Sequence, residues 1–225
     1  IALTVDSSAN YCKSHPITGA KQIVCESWRN LISVGAKPIA ITNCLNFGSP
    51  ENPKIMGEFA ETILGIKEAC EYLDYPIVSG NVSFYNGTNK KNIYPTPVIG
   101  GVGLINKIEN KVNHFFKKEN NPVLVVGKTF GHLHQSVFFE EIYSIKDGPP
   151  PEINLLNEKN NGNFILKLIK DNLLNSVHDI SSGGLIIALS EMCISSNIGI
   201  KIEKPKKLNN LFEYFFGEDQ GRYLI

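Results

Sequence analysis

In the run Ile77-Val78-Ser79-Gly80-Asn81-Val82-Ser83-Phe84-Tyr85, a β-branched strand is broken by glycine and continues with Asn and Ser two residues apart. Extended residues two apart point to the same face, so Asn81 and Ser83 project together beside the bare backbone of Gly80. Glycine lets a ligand approach the main chain, while an amide oxygen and a hydroxyl can coordinate a hard cation or hold a polar substrate. Asn43 closes a second apolar run, Pro38-Ile39-Ala40-Ile41-Thr42. Ligands of alternating α/β folds gather at the carboxyl ends of strands, so Asn43 and the Gly80–Ser83 element form the first candidate site. Local spacing alone leaves a second reading open, in which Asn43 caps a turn and Asn81 satisfies nearby backbone.

Further along, Ser181-Ser182-Gly183-Gly184 stands between a short apolar run and a helical pattern. Free N–H groups at such a helix start suit a phosphate, and they equally suit an ordinary N-cap with a tight turn. It lacks the GK[ST] ending of a P-loop. His178-Asp179 could be an acid/base pair, but neighbours in a strand face opposite sides, which favours a structural histidine. His132 and His134 would diverge by roughly 200° on a helix, which argues against a metal pair. Cys44 has no basic partner nearby in sequence, and no Ser/His/Asp arrangement is visible. Glu218-Asp219-Gln220 with Arg222 reads as a solvated loop, or as a cluster for a polyanion or sugar phosphate.

Alternating strand and helix signals must position these groups. After the strand at residues 1–5, a turn-rich stretch runs from Asp6 to Gly19. Ile23, Val24, Trp28, Leu31 and Ile32 make an apolar stripe at helical spacing, ended by Gly35. A dense turn over residues 46–53 precedes a helix near 55–73, with Phe59, Ile63, Ile66 and Cys70 on one face. The polar tip 86–92 should close a hairpin between the Gly80 strand and a return strand near 97–105. Polar residues 106–121 mark the expected boundary between two domains, 1–110 and 111–225. The second half then reads as a strand at 122–126, a helix start within 131–139, a helix over 152–171 and a strand at 177–180. A helix to about Ser196, a strand at 198–202, a short helix near 208–215 and a strand from Arg222 complete it.

Composition removes several classes. With 22 basic and 22 acidic residues in 225, nothing draws the chain to nucleic acid or to a membrane surface. The basic run Lys204–Lys207 reads as a solvated face. Five scattered cysteines without CxxC spacing favour a reducing cytosol over a disulfide framework or zinc knuckle. No apolar run approaches the roughly 18 residues of a membrane span. Both ends fall in strand-like runs, so the chain reads as an internal piece of a longer cytoplasmic polypeptide.

Residues 35–48, Ser79–Asn86, Tyr94–Pro97, His178–Leu185 and Phe216–Gln220 with Arg222-Tyr223 together resemble the synthetase subunit of phosphoribosylformylglycinamidine synthase. The matches run in order through nearly the whole chain. The resemblance implies an α/β fold shared with aminoimidazole ribonucleotide synthetase. An N-terminal domain contributes to a barrel and a second α/β domain follows, and this chain is similar to the second of two such copies. It implies an ATP- and Mg²⁺-dependent ligase of purine biosynthesis, joining glutamine-derived ammonia to formylglycinamide ribonucleotide.

By the same resemblance, the positions of Asn43 and Gly80 contact ATP, that of Asn81 holds Mg²⁺, and that of Ser83 touches the substrate. The implied partners are the missing N-terminal half, a glutaminase subunit or domain, and a small bridging subunit. Three positions depart from the family pattern: Asn43 and Ser182 stand where Asp is usual, and Gly87 where Glu is usual. Each removes a carboxylate. The family's catalytic histidine lies in the first copy, so the resemblance places no catalytic residue in this chain. A non-catalytic nucleotide-holding half remains a second reading. A kinase-like or selenophosphate-synthetase-like relative is a third.

Overall fold

The first long helix begins where local chemistry favours it. Pro16 occupies its first turn, and the His15 ring accepts from the Thr18 N–H at 3.3 Å, which caps an open donor. In the computed structural model, which describes residues 1–89, 91–203, 205 and 210–225, the chain first forms β1 (Ala2–Asp6), α1 (Ala9–Ser14) and α2 (Pro16–Ser33). There follow β2 (Lys37–Asn46), α3 (Pro53–Leu73), β3 (Ile77–Ser83), β4 (Gly87–Thr88), β5 (Lys91–Asn92) and β6 (Thr96–Leu104). Asn52 caps α3 through the Lys54 N–H at 3.0 Å, and Asp74 ends it in the left-handed conformation.

One sheet has the order β1-β6-β2-β3, with β2 and β3 parallel and the other pairs antiparallel. Its two faces differ. Ile41 and Leu45 of β2 and Ile99 of β6 are buried among α2 and α3 residues, whereas Leu3 and Val5 of β1 are each 74% exposed on the opposite face. Asp6, Ile99, Asn43 and Gly80 form one cross-strand row on the helix-covered face. Val98, Cys44 and Asn81 form the next row, on the open face.

The second half contains β7 (Val125–Val126), α4 (Val137–Tyr143), α5 (Leu155–Lys170), β8 (His178–Ile180), α6 (Gly184–Ser196), α7 (Leu211–Phe216) and β9 (Arg222–Leu224). Its antiparallel sheet has the order β7-β9-β8. Ile165 and Ile169 of α5, with Val177 and Tyr223, join the core built by α2, α3, β2 and β6. The approach of α5 to α2 requires glycine at 162, where a Cβ would stand 2.2 Å from the Trp28 ring. A smaller core of Ile180, Leu185, Ala188, Leu189, Met192 and Leu224 lies under α6.

Several local expectations are corrected. The stretch from Asp6 to Gly19 is mostly helical, because α1 buries Tyr11 and Cys12 and α2 starts at Pro16. Strands β3 and β6 are not hairpin partners. They flank β2, and the polar tip forms its own small ribbon, β4–β5. Ile63 is 38% exposed and does not share the buried face of Ile66 and Cys70.

In the second half, strand pairing is confined to Val125–Val126 within 122–126, and the helix expected within 131–139 starts only at Val137. No strand forms at 198–202: Asn197 ends α6 in the left-handed conformation, and none of the described strands pairs with those five residues. Helix α7 starts at Leu211; Leu208 lies outside the described residues, as does the basic run at Lys204, Lys206 and Lys207.

Candidate functional site

The parallel pairing of β2 with β3 brings the first candidate residues together. Asn43 is opposite Gly80, Cys44 opposite Asn81, and Asn46 opposite Ser83. A Cβ at Gly80 would stand 2.0 Å from Asn43 Oδ1, so the bare backbone there is what lets the Asn43 amide lie over the strand. Asn43 and Gly80 therefore share the helix-covered face. Ser79, Asn81 and Ser83 share the open face, where Ser79 donates to Thr42 Oγ1 at 2.7 Å. The expected pairing of Asn81 with Ser83 is present, and Gly80 lies beside them but faces the other way. All of β3 except half-buried Ser83 is exposed, as befits an edge strand.

Past Ser83 the chain turns back on the end of β2. Phe47 N–H donates to Ser83 O at 3.0 Å, and Tyr85 N–H donates to Gly48 O at 3.0 Å. Phe84 packs with Phe47 and Phe59, anchoring the strand end in the core. The carboxyl ends of both strands are thus fixed, while the edge beside them stays open. The groups there are neutral amides, hydroxyls and backbone. Among the described residues, no three His, Cys, Asp or Glu side chains are grouped to hold a metal ion.

A second polar assembly lies between the two halves. Glu218, Asp219 and Arg222 are buried, which overturns the solvated-loop reading. The Glu218 carboxylate accepts from the Tyr11 hydroxyl, from Val137 N–H at 2.8 Å and from Gly183 N–H at 2.7 Å. Asp219 accepts from the backbone N–H groups of Phe130, Gly131 and His132. Arg222 donates to Asp219 O, Gly217 O and Thr129 Oγ1, and burial pulls it down to about 10. Arg29 on α2 donates to Glu158 at 2.8 Å and to Gln220 at 2.9 Å.

Burial opposes the Arg29 charge, but the carboxylates of Glu158, Glu26 and Asp179 outweigh it and hold the guanidinium above its ordinary value. Burial raises Glu218 and Glu158, and it pushes Glu26 up to about 7. At the Ser181–Gly184 turn, the Gly183 N–H is taken by Glu218 and the Gly184 N–H by Ser181 O, while the N-cap residue of α6, Gly183, makes no side-chain cap of its own. Sequence reading missed Tyr11, Arg29 and Glu158. The available signal was Arg29, a charge beside Trp28 on a helix whose buried residues include both.

His178 sits between two carboxylates. Its Nδ1 is 3.3 Å from Asp179 and its Nε2 is 3.2 Å from Glu191. The His132 and His134 rings do meet, at 5.7 Å, because they lie on a loop before α4 and not on a helix. Among the described residues, no helix is long and apolar enough to cross a membrane.

Residues 1–105 match the family described as AIR synthase related protein, N-terminal domain, and residues 118–225 match its C-terminal domain. The phosphoribosylformylglycinamidine synthase subunit PurL of Pelagibacter ubique is 62% identical over the whole chain, which covers 31% of that relative. The chain thus spans about a third of the length of the curated relatives it matches. Thermotoga maritima PurL complexed with ATP aligns with TM-score 0.63 and 27% identity, over 99% of this chain and 31% of that one. The PurLQS structure from the same organism aligns with TM-score 0.68 and 26% identity, over 99% and 31%. PurL complexed with FGAR aligns with TM-score 0.75 over 100% and 37%; at 20% identity it speaks for the fold alone. The chain, mixed α/β throughout, belongs to the AIR synthase related family, with the N- and C-terminal domains in that order, and is a homologue of the PurL subunit.

Proposed function

We propose that this chain is the second of two synthetase-like copies in an ATP-dependent ligase. The reaction converts formylglycinamide ribonucleotide, ATP and glutamine-derived ammonia to formylglycinamidine ribonucleotide, ADP and phosphate. The observation that carries this reading is the register of β2 against β3. It gathers Asn43, Gly80, Asn81 and Ser83 at the carboxyl ends of two parallel strands on an open edge. The proposed boundary between domains lies in the connection around residue 110.

The residues present fit the nucleotide and the metal in different ways. Gly80 has no side chain, so the Asn43 amide lies over its backbone, and the two together can be set against ATP. Asn81 offers one neutral amide oxygen to Mg²⁺, an ion that keeps several waters and takes its other ligands from phosphates and carboxylates. Bound Mg²⁺ and ATP would supply charge neutralisation and the phosphoryl group that activates an amide oxygen. This chain's share is to orient: Asn43 and Gly80 set the nucleotide, Asn81 sets the metal, and Ser83 donates to substrate. Acid/base chemistry belongs to the first copy. The open face carrying exposed Leu3 and Val5 is the surface on which that copy would complete a barrel.

A second reading has its own observation. Asn43, Gly80, Asn81 and Ser83 offer amides, a hydroxyl and backbone and no carboxylate, so this half could hold a nucleotide without turning it over. The isolated chain should show no amidine formation under either reading, and two other measurements separate them. In the full-length protein, Asn81→Ala should shift the Mg²⁺ titration of activity to higher concentration. An unchanged titration removes Asn81 from the site, and nucleotide retained unhydrolysed through purification favours the scaffold reading.

A further inference from the structure

Asn86 lies just beyond the candidate site and holds its last member. Its side-chain nitrogen lies 2.9 Å from Ser83 O, 3.1 Å from Phe47 O and 3.3 Å from Ser83 Oγ, so its two hydrogens serve three acceptors and one of them is shared. Its backbone N–H also donates to Phe47 O, at 3.1 Å, and its carbonyl accepts from Ile93 N–H at 3.2 Å. Both carbonyls facing the side chain are acceptors only, which dictates that the NH₂ end and not the oxygen points at them. Tyr85, with φ of 59°, takes the left-handed backbone that reverses the chain and brings Asn86 back over Ser83.

The consequence falls on the Ser83 hydroxyl. It accepts from Asn86, and among the described residues its own proton meets one acceptor, Asn86 Oδ1, at 3.5 Å, a long and weak contact for a hydroxyl donor. The hydroxyl is held in place, and a ligand oxygen at ordinary hydrogen-bond distance would take its hydrogen from that long contact. We propose that Asn86 is a positioning residue. It locks the carboxyl end of β3 to the end of β2 and presents the Ser83 O–H as a donor to an oxygen acceptor on the ligand. That acceptor would be an amide carbonyl or a phosphate oxygen. This rests on the reading of Ser83 as a substrate contact. It adds a residue that the resemblance does not assign, and it sets the polarity of the contact.

The test uses the full-length protein with Ser83→Ala, Asn86→Ala, Asn86→Asp and the Ser83/Asn86 double alanine variant. KM for the ribonucleotide, KM for ATP, kcat and the melting temperature are measured for each. Asn86→Asp keeps the size and removes the donor hydrogens, so it serves where Asn86→Ala does not fold. Ser83→Ala and both Asn86 variants should raise the ribonucleotide KM by a similar factor, about tenfold, with KM for ATP unchanged. The double variant should be no worse than either single one.

A merely structural Asn86 would lower the melting temperature and leave the KM of the folded variants alone; that result overturns the proposal. If Ser83→Ala raises KM and Asn86→Asp does not, the proposal fails while the Ser83 reading stands. If Ser83→Ala is itself silent, the Ser83 reading fails and takes the proposal with it.

Discussion

Arg29 and Glu158 form an ion pair in which both side chains are at most 1% exposed, 2.8 Å apart, linking α2 to α5. Removing one partner strands a charge with almost no access to water, and such breaks cost about 3–5 kcal/mol. Arg29→Met leaves Glu158, already raised by burial, without the guanidinium that keeps it ionised; the carboxyl then takes up a proton, which limits the loss. Glu158→Leu leaves a guanidinium that cannot discharge, donating to Gln220 among the described residues, with Glu26 and Asp179 as its remaining carboxylates nearby. Glu158→Leu should therefore be the costlier single change. Replacing both together should cost less than the sum of the two, because neither member of the pair is left facing the other's absence, although Glu26 and Asp179 still lose the Arg29 charge. Denaturant unfolding of the full-length protein, read by two probes to check that the transition is single, measures all three. Losses under about 1 kcal/mol for both single variants would refute the reasoning, since surface pairs give that much.

Three further predictions concern the same seam and the edge of α6. Glu26→Gln should stabilise the protein at pH 8 and change little at pH 5. The folded carboxyl titrates near 7, so the wild type loses stability as pH rises from the ordinary carboxylate range through that value; thermal unfolding at the two pH values checks it. His178 faces Asp179 on its own strand, Glu191 on α6 and the His114 ring at 5.3 Å, and its hydrogen bond and charge interaction with Asp179 outweigh burial to raise it. A raised histidine contributes stability fully below its unfolded value and loses it as pH rises through the folded one, so the cost of His178→Gln should shrink between pH 6 and pH 9. A cost that grows with pH would reverse the assignment. Tyr11→Phe removes a buried donor to Glu218 and should cost about 1–3 kcal/mol in denaturant unfolding.

Much of this was legible along the chain where burial follows a local period. The stripe of Ile23, Val24, Trp28, Leu31 and Ile32 became the buried side of α2, and the glycine break in β3 marked the edge where Asn43 meets Gly80. Elements whose stability comes from distant contacts were not legible. Helix α1 is only six residues long and is held by burying Tyr11 and Cys12, so propensity could not reveal it. The Glu218–Arg222 segment reads as polar because its partners, Tyr11 and Arg29, are about two hundred residues away in sequence. Residues 198–202 show the reverse failure, a β-rich composition with no described strand beside it. The side on which each site residue stands also needed the register, which a sequence does not carry.

The central claim is that the β2–β3 edge is one wall of a working nucleotide site. ATP saturation of amidine formation by the full-length protein carrying Gly80→Ala tests it most directly. The added methyl would displace the Asn43 amide, whose Oδ1 is 2.0 Å from where it must go, and would press on the Asn43 carbonyl oxygen at 2.9 Å, so the melting temperature is read beside the kinetics. KM for ATP should rise about tenfold or more in the folded variant, with the KM for the ribonucleotide held. An ATP saturation curve identical to that of the unaltered protein would contradict it.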